Sequence, residues 1–162
     1  MIERLTKFSV TECEWLTEFL NSNFNYDFYF TDNNSRIYAN DKKSLKTFLK
    51  NSESVFVLKE KGDYKGIIMV WKSVGGGKTR HYVKVNAENN KIAKDLLTVL
   101  TWNSSRDLFV KLRKDSPFLT AFKQKGFRFA GGRGIQILLR RKYIKPAKKT
   151  KNKEEDNYVR HN

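Results

Sequence analysis

The chain has few of the residues that staple small proteins together. Of 162 residues, one is cysteine (Cys13) and two are histidine (His81 and His161). An intrachain disulfide is therefore excluded, and a cysteine-based zinc site lacks ligands, so no metal is expected. Cys13 lies among the apolar residues of a helical pattern and reads as a core position rather than a nucleophile. Long hydrophobic runs are missing too. Ile67–Trp71 is the longest, and Ile137–Leu139 is shorter still, far below the roughly 20 residues of a membrane span. Met1–Val10 has no continuous apolar core, so no signal peptide is expected. A reducing, cytoplasmic setting without a membrane partner fits best.

Acidic residues are scarce beside basic ones, 17 against 33, for a net charge of +16. Such an excess attracts acidic partners: nucleic acid, an anionic membrane face, an acidic protein or a phosphorylated ligand. A merely solvated surface is the competing reading. Nine of the 33 basic residues fall between Arg140 and Asn162, so the charge alone does not select nucleic acid. Aromatics make up 14% of the chain, against a disordered polymer. The length suits one domain. The apolar pattern stops near Tyr143, which divides the chain into a folded domain (1–143) and a basic tail (144–162) expected to be disordered.

Ser9-Val10-Thr11-Glu12 is a capping-box pattern, and Trp15, Leu16, Phe19 and Leu20 follow at helical spacing. Phe24–Phe30 is aromatic but lacks that period, which predicts a loop or short extended piece. A second helix from about Asn40 carries Leu45, Phe48 and Leu49. Strands are expected at Ser54–Leu58, Gly66–Lys72 and His81–Val85. Next come a helix marked by Ile92, Leu96, Leu97 and Leu100 and a strand at Asp107–Val110. A helix is then expected to start at Ser116-Pro117, with Ser as N-cap and Pro in the first turn, and to stop at Gly126. A hairpin, Phe127–Phe129 with Ile135–Leu139, closes the domain. This order is α/β with a mixed sheet.

Val74-Gly75-Gly76-Gly77-Lys78-Thr79 invites a phosphate-loop reading. The motif needs a glycine where Lys72 stands and a helix afterwards. Arg80–Val85 alternates like a strand instead, so the glycine run reads as a hairpin loop.

Tyr82-Val83-Lys84-Val85-Asn86-Ala87-Glu88-Asn89-Asn90-Lys91-Ile92-Ala93-Lys94-Asp95-Leu96-Leu97 is strand, polar loop, helix. It resembles the acetyl-CoA-binding segment of the GNAT (GCN5-related N-acetyltransferase) superfamily, with Glu88, Lys91 and Ala93 at the Gln/Arg, first-Gly and last-small positions of its loop. Ala121–Phe127 resembles the family's second signature, a helix ending in Tyr-x-x-x-Gly-Phe. The resemblance covers about residues 1–143. It implies a GNAT-like fold: a mixed, mostly antiparallel central sheet, about four flanking helices and splayed central strands. It implies acetyl-CoA as co-substrate, bound by the backbone of Val83, Lys84 and Val85 and by the amides of Asn89, Asn90, Lys91, Ile92 and Ala93 at a helix N-terminus. Lys91 and Lys94 could offset Glu88 and contact phosphate. An amine would be the acceptor.

The family's leaving-group tyrosine is replaced by Phe122. Catalytic candidates are His81, as a base or a solvent-facing hairpin residue, and Tyr82, as a cleft or packing residue. Asp115 and Ser116 stand near the implied cofactor or cap a helix. Tyr26, Asp27 and Tyr29 fall where the family builds its acceptor pocket, or else cap the core. Arg128, Arg133, Arg140, Arg141 and Lys142 could form a basic face for nucleic acid. The alternative function is thus a GNAT-like protein, non-catalytic or nucleic-acid-directed, that binds DNA or RNA through basic surface and tail.

Overall fold

The computed structural model describes residues 1–32 and 34–145. Most of the basic tail lies outside the described residues. A seven-stranded sheet organises the chain, in the spatial order β1-β4-β5-β6-β7-β9-β8. Its strands are β1 (Ile2–Arg4), β4 (Ser52–Glu60), β5 (Asp63–Gly75), β6 (Lys78–Ala87), β7 (Leu108–Arg113), β8 (Arg128–Arg133) and β9 (Gln136–Arg141). Every neighbouring pair is antiparallel except β6–β7. Among the described residues four helices flank it: α1 (Val10–Ser22), α2 (Lys42–Lys50), α3 (Asn90–Trp102) and α4 (Leu119–Gln124). This is the mixed, mostly antiparallel architecture that the resemblance implied.

Alternation along the strands builds two cores. Val83, Val85, Val110 and Leu112 face one side and pack with Leu96, Leu97, Phe122 and Phe127 from the α3 and α4 region. Val55, Val57, Ile67 and Met69 face the other and pack with Leu16, Phe19, Leu45 and Phe48 of α1 and α2. Cys13 belongs to that second core, where burial pushes its thiol up and makes it inert.

One local expectation is corrected, and two elements come in addition: a strand at the N-terminus and a hairpin that takes up the extended end of the aromatic stretch. The N-terminus supplies a strand, β1, too short for its alternation to show. The aromatic stretch is a loop only as far as Phe28. It then enters a separate hairpin of β2 (Tyr29–Asp32) and β3 (Ser35–Tyr38). Finally, α4 begins at Leu119, not at Ser116-Pro117. Ser116 Oγ accepts from Phe118 N at 3.2 Å, closing a turn ahead of the helix rather than capping it.

The glycine run is a tight turn between β5 and β6, where Gly76 and Gly77 take φ of +58° and +74°. Gly66 serves a different purpose. A Cβ there would stand 2.7 Å from Ile92 Cγ2 and 2.8 Å from Leu96 Cδ1. Its absence lets α3 lie close against β5, which fixes where the start of α3 sits.

Candidate functional site

The ladder between β6 and β7 is broken. They pair only at His81↔Leu108 and Tyr82↔Phe109 and then diverge. The opposite edge of β6 stays zipped to β5 from Gly75↔Lys78 to Gly66↔Ala87 without a shift. Within a strand, backbone groups of alternate residues point to alternate edges. Glu88 N donates to Lys65 O on β5, while Val85 O is turned towards the wedge. Val85 and Ala87 therefore offer their backbone groups to the wedge, Val83 offers its carbonyl while its N–H closes the pair with Phe109, and the groups of Lys84 and Asn86 are committed to β5.

The loop after α1 reaches into this wedge. Asn25 Nδ2 donates to Val85 O at 3.2 Å, and Arg113 N of β7 donates to Asp27 Oδ1 at 3.2 Å. Asn86 Nδ2 donates to Asn23 O at 2.6 Å. One short loop thus holds unpaired backbone on both diverging strands. At the mouth lies a cleft of about 280 Å³ lined by Asn23–Asp27, Asn86, Ala87, Arg113 and Asp115–Phe118. Asp115 caps nothing there: its carboxylate takes Arg113 Nε and Nη2 at 3.1 and 3.3 Å. Burial pushes the Asp27 carboxyl up, opposed by the Arg113 amide and by Lys84.

Beside the mouth, α3 starts. Asn89 Oδ1 accepts from Ile92 N at 2.9 Å, and Asn89 O accepts from Ala93 N. Of the amides expected to cradle phosphate, those of Ile92 and Ala93 are thus already engaged, which leaves Asn89, Asn90 and Lys91 for an anion. Glu88 is offset by Lys65, whose Nζ lies 3.1 Å from Glu88 Oε1, rather than by Lys91 and Lys94.

At the foot of the wedge a second cavity, about 130 Å³, is lined by Tyr29, Phe30, Trp71, Tyr82, Lys84 and Lys111 among others. Lys84 is 8% exposed, with Nζ 4.1 Å from the centre of the Tyr29 ring. Burial and the nearby Lys111 bring its amine down to about 8, with Asp27 pulling the other way. From the sequence, Lys84 is expected to offer only strand backbone. The alternation that puts Val83 and Val85 in the core is the signal that turns Lys84 to the opposite face.

The remaining candidates divide. Tyr29 is buried beneath Lys84, and its hydroxyl accepts from Gln136 Nε2 of β9 at 3.3 Å. Tyr26 is exposed at the cleft mouth with the Arg113 guanidinium 5.1 Å from its ring centre. Tyr82 shares the face of Lys84. His81 points the other way, with Nδ1 3.0 Å from Glu53 Oε2 in a cluster completed by Arg106, so the two catalytic candidates do not converge. Phe122 is fully buried against Phe127, ring centres 5.0 Å apart. No hydroxyl reaches the wedge from that position. Among the described residues no group of His, Cys, Asp or Glu is placed to hold a metal ion, and no helix is long and apolar enough to cross a membrane.

No family model matches the sequence, and no curated protein matches it either. Solved structures do match. A GNAT-family acetyltransferase from Streptococcus pneumoniae superposes with a TM-score of 0.63 over 88% of this chain and 98% of its own, at 15% identity. A ribosomal-protein-alanine N-acetyltransferase from Brucella melitensis gives 0.65 over 88% and 99%, at 14% identity. A PaiA N-acetyltransferase from Thermoplasma acidophilum, solved in complex with coenzyme A, gives 0.59 over 88% and 99%, at 11% identity. The chain has the GNAT fold.

Proposed function

We propose that this protein is an acetyl-CoA-dependent N-acyltransferase that moves an acetyl group to an amine. The observation that carries the reading is the wedge between β6 and β7, opening beside the N-terminus of α3. A helix N-terminus favours phosphate through free amides and its partial positive charge. Asn89, Asn90 and Lys91 N–H would hold the pyrophosphate, with the Lys91 and Lys94 ammonium groups beside it. Val83, Val85 and Ala87 would pair with the pantetheine amides once Asn25 has moved off Val85 O. Ser116 would stand at the cleft wall. The co-substrate supplies an acetyl group activated as a thioester.

The chain's own task is orientation and proton handling. The acceptor nitrogen forms the new C–N bond as the C–S bond breaks. One proton must leave the nitrogen and one must reach the departing sulfur. Phe122 can supply none. Lys84, lining the foot of the wedge and titrating at about 8, takes the proton from the nitrogen and passes it to the thiolate, whose ordinary value is close to its own. Tyr26, Asp27 and Tyr29 form the acceptor side, and Tyr82 lines the same face as Lys84. His81 has no part in this scheme, because its side chain is on the opposite face with Glu53.

Isothermal titration with acetyl-CoA tests the reading. The expected result is saturable binding in the micromolar-to-millimolar range usual for substrates. No heat at millimolar acetyl-CoA overturns it.

A further inference from the structure

The two cores leave one part of the sheet uncovered. α3 and α4 cover the face that carries Val83, Val110 and Leu139. α1 and α2 cover the opposite face over β4 and β5, and β2 covers it at Lys84 of β6 and Gln136 of β9. Further along that second face the registers bring together Tyr82 of β6, Phe109 of β7 and Arg140 of β9. Arg80 and Lys111 lie on the same face, by alternation from Tyr82 and Phe109. None of these five side chains is buried.

Rings and cations alternate there. The Phe109 ring is approached by two guanidinium groups, Arg80 at 4.8 Å and Arg140 at 5.5 Å from its centre. Lys111 Nζ is 5.1 Å from the centre of the Tyr82 ring, and the two rings are 6.0 Å apart. Arg140 is paired with Asp107. Among the described residues, Arg80 and Lys111 have no acidic partner within 4.0 Å.

We propose that this open face of β6, β7 and β9 is a docking platform for single-stranded nucleic acid. Charge complementarity calls for a polyanion. The flat rings and guanidinium planes call for one that also offers planar groups to stack on, which an acidic peptide does not. A duplex keeps its bases stacked inside, whereas a single strand can lay them on a sheet while its phosphates meet Arg80 and Lys111. The platform shares Tyr82 and Lys111 with the cavity at Lys84, but it takes nothing from the α3 N-terminus or the wedge mouth, where acetyl-CoA would bind, so the inference does not depend on acyl transfer.

The test is fluorescence anisotropy on the full chain with labelled DNA and RNA strands of about 12 nucleotides. A duplex of the same length and polyglutamate are the comparisons. The expected result is binding of both single strands that weakens steeply between about 50 and about 200 mM salt. Phe109→Ala is expected to weaken it about fivefold or more, one stacking interaction. The double variant Arg80→Gln/Lys111→Gln, at the surface, keeps the test open should Phe109→Ala fail to fold. It is expected to weaken binding and to flatten the salt dependence. No binding at about 50 mM salt overturns the proposal. So does equal binding of the duplex or of polyglutamate, or wild-type affinity in the double variant. The acetyl-CoA titration reads the other site, so either idea can fail alone.

Discussion

β6 has two edges, and they behave in opposite ways. Towards β5 it is paired without interruption from Lys78 to Ala87. Towards β7 it is paired at His81 and Tyr82 and nowhere beyond. The side chains of the strand repeat the contrast across its two faces. Val83, Val85 and Ala87 are buried in an apolar core, while Lys84 and Asn86 are buried polar groups beside the wedge. The zipped edge and apolar face stabilise the fold. The open edge and polar face give up that stability, and the fold keeps them where a ligand can use them.

The largest expected effect comes from Lys84→Met, which makes the polar face resemble the apolar one. Turnover should fall by about 100-fold or more, the size of a lost general base, with KM for acetyl-CoA changed little. The rising limb of the rate near pH 8 should vanish with it. Stability should move the other way. The folded chain binds fewer protons than the unfolded chain between about 8 and the ordinary lysine value, so wild-type stability climbs with pH across that window. Below it the buried ammonium costs about 3 kcal/mol. Desolvation under Tyr29 and its neighbours sets this value first, then Lys111 of β7; Asp27 of the loop opposes them and Arg36 of β3 adds to them. Thermal melts at pH 7 and pH 10 check it: the variant should melt higher at pH 7 and lose the wild-type gain towards pH 10.

A smaller effect is expected from Gly66→Val, which attacks the zipped side. The added carbons would collide with Ile92 and Leu96 and push α3 off the sheet. Urea unfolding should show a loss of about 1–3 kcal/mol. Acetyl-CoA affinity should drop as well, because the start of α3 moves. Lost stability with unchanged affinity would separate the helix from the ligand.

The smallest effect is expected from Asn25→Ala, which opens the wedge further. It removes a hydrogen bond to Val85 O worth about 0.5–1.5 kcal/mol. If that bond competes with the co-substrate, affinity for acetyl-CoA should tighten by about two- to tenfold in calorimetry. Weaker binding would mean that Asn25 helps to hold the ligand.

Much of this was legible in the sequence. The strand, polar loop and helix from Tyr82 to Leu97 stood out because a strand period of two gives way to a helical spacing at Ile92, Leu96 and Leu97. The rejected phosphate loop could be read the same way, from the alternation after Lys78. What stayed hidden depends on distant partners. The role of Ser116 turned on a local turn against a helix cap, two uses of the same side chain. The pairing of Glu88 with Lys65 spans a strand and could not come from neighbours in the chain. The reach of Asn25 and Asp27 into the wedge needs the fold itself, as does the burial of Lys84 under Tyr29. The aromatic run before Asp32 hid a hairpin because its residues pack on both sides and show no single period.

The broken ladder also has a signature in time. In β6, the amide hydrogens of Lys84 and Asn86 are locked into the β5 ladder and those of Val85 and Ala87, past the last pair with β7, are turned to the wedge. Deuterium should therefore enter the end of this strand at every second residue, quickly at Val85 and Ala87 and slowly at Lys84 and Asn86. An occupant that seals the wedge would turn that alternating pattern into a uniformly slow one.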